Sequence, residues 1–218
     1  YADGYYTHNL HFLWASLAME GRRTEALKVA RQLTGTISQE EVRKDAWKEL
    51  YLPAPLWSMI RFGQWDDLLR EPPPPKTLHL QQGMWRLGRG LALAASGRMP
   101  GAEGEHVVLA GLAKRFGRDR TREEKTERTL LKIAERLLTG ELATHRHQYD
   151  EAIKSLTDAV KLEVYRADLA KNPRNGWAQF GLMQSLRAQR KGREADAAEE
   201  QWKQVWEHAD VTLTASRF

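Results

Sequence analysis

In the stretch YYTHNLHFLWASLAMEGRRTEALKVARQL, residues 5 to 33, His8 and His11 stand three apart at the start of an apolar helical pattern. That spacing puts both imidazoles on one helical face, where they can share a metal ion or hold an acidic ligand. A competent zinc or iron site needs at least a third protein ligand, with hydrogen bonds supporting it from behind. The nearest carboxylates along the chain are Asp3 and Glu20, and the other histidines, His79, His106, His145, His147 and His208, are scattered. His145 and His147, in HRH, fall on different helical faces and do not chelate together. The His8–His11 pair therefore reads first as structural, hydrogen-bonded across helices. Contact with a ligand and coordination of a metal are the alternatives.

Other chemistry finds less support. The chain has no cysteine, no Gly-x-Ser-x-Gly elbow and no serine beside an identifiable base, which argues against nucleophilic catalysis. The glycines of GMWRLGRG (83–90) lie inside a helical pattern, so they read as packing residues and not as a phosphate loop. Paired carboxylates such as Glu40–Glu41 and Glu199–Glu200 read as solvated helix faces. The run KRFGRDRTREEKTERTLLK (114–132) mixes both signs of charge with only Phe116 as an aromatic, a poor stacking platform for nucleic acid. It reads as the exposed, ion-paired start of a helix. What remains are aromatic and arginine anchors. Trp57 with Arg61 and Trp85 with Arg89 recur at comparable first-helix positions, as in a groove that holds a peptide. The expectation is a binding protein, not an enzyme, with a protein or peptide partner and no cofactor.

A chain of 218 residues, 41% hydrophobic and with 8 tryptophans, can build one core or one elongated array. Net charge is +5, yet 29 acidic residues are interspersed among 34 basic ones, so no single-sign field invites nucleic acid. Absence of cysteine excludes disulfides and leaves cytoplasm and periplasm equally open. No apolar run approaches the roughly 20 residues of a membrane span, so a soluble chain is expected. It begins at Tyr1 with neither Met nor a leader, which reads as a fragment or a processed chain.

Apolar residues recur at three and four spacing almost throughout, as in Leu10, Leu13, Trp14, Leu17 and Ala18, and HVVLAGL (106–112), the nearest approach to a strand, continues in helical phase. The fold class is all-α. The breaks repeat: AMEGRRTEALKVA, IRFGQWDDLL, AASGRMPGAEGEH, THRHQYDEAIKSL and AQRKGREADAAEEQW each read helix, polar turn, helix. A glycine closes the first helix in four of them, at Gly21, Gly63, Gly97 and Gly192, and His147 takes that place in the other. Gly63 and Gly97 lie 34 residues apart. Between the first two turns, Ser38 and Glu41 predict a capping box opening an extra helix. Pro53 and Pro55 predict a helix beginning at or after Pro55, and EPPPPK (71–76) reads as a stiff connector.

On these residues the chain resembles the tetratricopeptide repeat. Segment 133–159 supplies Gly140, Tyr149, Ala152 and Ala159 in phase, and segment 83–109 supplies Gly90, Gly97 and Ala102. The small residues let the two helices of a repeat touch. YYTHNLHFLWASLAMEGR, RFGQWDDLL, GMWRLGRGLALAASGR and NPRNGWAQFGLMQSLRAQ through ADVTLTASRF further resemble the C-terminal half of a group of large bacterial tetratricopeptide proteins, over nearly the whole length. The resemblance implies a right-handed α-solenoid of stacked hairpins, about four to five pairs, with first helices lining a concave face. It also implies upstream repeats bearing a histidine-containing helix, and another repeat at the Glu163–Val164 junction, where a helix pair is short of residues. Read this way, residues 1–218 form one superhelical domain acting as an interaction scaffold for a peptide, a protein or another domain. His8 and His11, in the metal-binding alternative, would be completed by ligands from absent repeats.

Overall fold

Left-handed turn residues set the architecture. In this computed structural model, which describes residues 2–114, 121–162, 180, 183, 187 and 192–212, Gly21, Gly63 and Gly97 have φ of 75°, 63° and 73°. His147 takes the same conformation at φ 59°, the one non-glycine with positive φ among the described residues. Each stands between two helices of a hairpin: α1 (Ala2–Met19) and α2 (Arg23–Gly35), α4 (Ala54–Arg61) and α5 (Trp65–Arg70), α6 (His79–Ala95) and α7 (Met99–Lys114), α8 (Arg122–His145) and α9 (Tyr149–Leu162). The described residues contain no strand, and the fold is all-α. Gly192 is the first residue of α10 (Gly192–Trp206), and the helix expected before it lies outside the described residues.

At His147 the left-handed backbone crowds Cβ, at a cost of about 1–2 kcal/mol. The ring recovers part of this through a 2.9 Å hydrogen bond between Nδ1 and the Tyr149 hydroxyl. His147→Gly removes the crowding and the bond together, and should stabilise the protein by roughly 0.5–1 kcal/mol in urea unfolding.

Local signals place the shorter elements. Ser38 caps α3 (Gln39–Lys44), its Oγ accepting from Glu41 N at 3.2 Å while Glu41 Oε2 accepts from Ser38 N at 2.8 Å, the expected capping box. Lys48, bonded to Glu41 at 2.8 Å, and then Ser38 hold that carboxyl down at about 2. A 3₁₀ helix follows at Ala46–Tyr51. α4 starts at Ala54, one residue before the expected limit, with Pro55 in its first turn, where a missing N–H costs nothing. α8 opens on a second capping box, Thr121 with Glu124.

Two compact units emerge, residues 34–164 and residues 1–33 with 165–218. In the first, α5 packs on α6, α6 and α7 both pack on α8, and α8 packs on α9. Leu68, Leu80, Met84, Leu109, Leu131 and Leu138 are sealed inside. Glycines make these approaches close. A Cβ at Gly83 would meet Leu131 of α8, one at Gly88 would meet Leu68 of α5, and one at Gly140 would lie 2.7 Å from Leu156 of α9. The proline connector is tied down as well, because Gln82 Nε2 donates to Pro74 O and Trp85 Nε1 to Glu71 O.

The other unit joins the first hairpin to α10. Asp210 accepts from the backbone N–H groups of Arg23 and, at 2.9 Å, Thr24, so it caps α2. Trp206 lies over Gly21 and donates from Nε1 to Val211 O at 3.0 Å. The Glu163–Val164 junction, Trp177 and Phe116 lie outside the described residues. No helix among the described residues is long and apolar enough to cross a membrane.

Candidate partner-binding surfaces

α1 buries Thr7, Leu10, Leu17 and Ala18 at helical spacing. Its other side is also apolar. Tyr5 and Phe12 are each 59% exposed, and Tyr6, His8 and Leu13 are exposed beside them. Phe12 gathers the rings: the His8 ring meets it edge-on at 4.6 Å between centroids, the His11 ring at 6.3 Å, and His11 lies 5.4 Å from Trp14. Burial first, and the neighbouring His8 second, push the His11 imidazole below its ordinary value, favouring its neutral form. Gln32 Nε2 donates to the Tyr6 hydroxyl at 2.6 Å and braces one edge of this face from α2. The two histidines thus belong to an aromatic cluster. Among the described residues no group of three or more His, Asp or Glu is placed to hold a metal ion.

The scattered histidines serve separate partners. His106 Nε2 lies 2.8 Å from Thr139 Oγ1 and 3.4 Å from Glu135 Oε1, and this contact, opposed by burial, holds the Glu135 carboxyl below its usual range. His145 stands 3.4 Å from Glu141, and His79 3.9 Å from Glu127.

Trp85 and Arg89 are brought together, but by the interior. Trp85 is only 7% exposed, with its indole N–H given to Glu71 O at 2.9 Å. The guanidiniums of Arg86 and Arg89 lie 4.6 and 4.9 Å from its ring centroid. Both arginines converge on Glu105 of α7, Arg86 Nη1 at 2.7 Å and Arg89 Nε at 2.9 Å, and Arg89 Nη1 also donates to Leu69 O at 3.1 Å. A ring so enclosed cannot anchor a peptide, because α6 is packed against α5, α7 and α8 at once. Trp57 and Arg61 are both half-buried on α4, which packs on α6.

Glu105 and Arg86 were not singled out by sequence reasoning, yet a signal existed. Glu105 falls in the buried series Ala102, Glu105, Leu109, Ala113, and a charge on an apolar helical stripe calls for buried counter-charges. Glu49 and Glu127 are a similar case. Glu49 reaches from the 3₁₀ helix to accept from Leu80 N at 2.9 Å and Gln81 N at 3.3 Å, capping α6, whose own N-cap Leu78 offers no side-chain acceptor. Burial pushes the Glu49 carboxyl up, against the effect of those two bonds.

No protein-family model, curated protein or solved structure matches this chain.

Proposed function

We propose that this chain is a tetratricopeptide-like helical-repeat scaffold that binds an apolar, aromatic segment of a partner protein or peptide on the exposed face of α1, without covalent chemistry. The observation that carries the reading is the exposed cluster of Tyr5, Tyr6, His8, Phe12 and Leu13. Large apolar side chains gathered on one helical face mark interaction sites far more often than the same residues scattered singly. Aromatic rings with polar tips are also the side chains that dominate binding energy once desolvated. The hairpins in residues 34–164, with left-handed turns 34 residues apart at Gly63 and Gly97, support the repeat reading. Trp57 and Arg61 stay within the proposal as a second, half-exposed contact. Trp85 and Arg89 leave it.

Selection from a random peptide library on the purified protein tests this. Enriched peptides should carry aromatic or aliphatic residues at helical or alternating spacing. Phe12→Asp, a change at an exposed position, should weaken them at least tenfold, or about 1.4 kcal/mol. Equal binding by wild type and Phe12→Asp would refute the site. One equivalent of transition metal, lost in His8→Ala, would refute the scaffold reading in favour of a metal protein.

A further inference from the structure

We propose that the carboxyl of Glu127, on α8, is a pH-sensitive latch between the start of that helix and the junction of the 3₁₀ helix with α6. Glu127 extends the apolar stripe Leu131, Ala134, Leu138 toward the first turns of α8, so it points inward. Its Oε1 is buried and has no hydrogen-bond partner. Around it stand Glu49 from the 3₁₀ helix, Glu124 from one turn earlier on α8, and His79 from α6, the last with Nδ1 3.9 Å away. Two basic groups of these elements have other engagements: Lys48 bonds Glu41, and Arg122 lies over the Trp47 ring at 5.7 Å. Arg128 is the nearest basic residue along α8. From α7, Glu103 and His106 go to Arg146 and Glu135, two turns or more further along.

An ionised carboxylate here would be poorly solvated, with Oε1 buried, and would be repelled by two more carboxylates. A protonated one is neutral and can donate. Burial first, then Glu49 and Glu124, push Glu127 up to about 7 from an ordinary 4.5. Between those two pH values the folded protein keeps a proton that the unfolded chain has released. Stability therefore falls as pH rises through that window, and the loss is complete above it. Because Glu49 caps α6 while facing Glu127, ionisation strains the joint that holds α8, the 3₁₀ helix and α6 together.

Carbon-13 NMR of labelled glutamate tests the proposal in the intact protein. The Glu127 carboxyl, assigned by its absence in Glu127→Gln, should titrate near pH 7, and Glu49→Gln, which keeps the acceptor on α6, should move it down. In parallel, Glu127→Gln should raise the thermal midpoint at pH 8 by about 3–6 °C and flatten its fall between pH 5 and 8. Titration of Glu127 at 4–5, or a pH profile in Glu127→Gln parallel to wild type, would overturn it.

Discussion

Replacing Glu105 by Ala should destabilise the protein by about 3 kcal/mol. Glu105 is 7% exposed and receives two guanidiniums, Arg86 at 2.7 Å and Arg89 at 2.9 Å. Removing one member of a buried ion group leaves the others as uncompensated charges, at a typical cost of about 3–5 kcal/mol. Both arginines keep roughly a quarter of their side-chain surface in solvent, so water recovers part of that cost and the lower end applies. Packing around Trp85 is lost in addition, because the arginines that flank its ring are held there by Glu105. Glu105→Gln keeps the acceptor without the charge and should cost about half as much. Urea unfolding of the two variants checks both values; a loss below 1 kcal/mol in Glu105→Ala would show that the cluster is solvated.

Gly21→Ala should cost about the same, for a different reason. At φ 75° an alanine pays about 1–2 kcal/mol for the left-handed conformation alone. Its Cβ would then lie 2.4 and 2.6 Å from two ring atoms of Trp206 and 2.9 Å from the Ala209 Cβ. A ring carrying a hydrogen bond to Val211 O and stacked on Trp202 at 6.1 Å cannot move freely, so overpacking adds about 1–3 kcal/mol. Gly97→Ala is the internal control. Its φ is 73° and a Cβ there would meet nothing within 4 Å, so it should show the backbone penalty alone. Thermal unfolding followed by tryptophan fluorescence should place Gly21→Ala well below Gly97→Ala. Equal midpoints would mean that Trp206 does not sit on Gly21.

These two cases also divide what the sequence discloses from what it withholds. A left-handed turn is a local demand, so Gly21, Gly63 and Gly97 announce it by residue type, and even His147 is identified by register. Capping boxes are equally local, and the Ser38–Glu41 pair was legible for that reason. Trp85 was misplaced because helical phase shows that a residue lies on a face without showing how many faces are covered. Gly83 and Gly88 carry the answer, since they admit α8 and α5 to different sides of α6, leaving Trp85 no open side. The tie between Asp210 and the start of α2 spans 186 residues and has no local signature at all. For the candidate site, sequence spacing identified His8 and His11 but not the face they share with Tyr5 and Phe12, because an apolar pattern running all round a helix does not reveal which side stays uncovered.

The central claim, that the exposed face of α1 receives a partner segment, is tested most directly by hydroxyl-radical footprinting of the protein with and without a library-selected peptide. The account predicts that Tyr5, Tyr6, His8 and Phe12 lose most of their reactivity when the peptide is bound, while the exposed Val107 and Ile153 keep theirs. Unchanged reactivity along α1, with protection appearing instead at Val107 or Ile153, would contradict it.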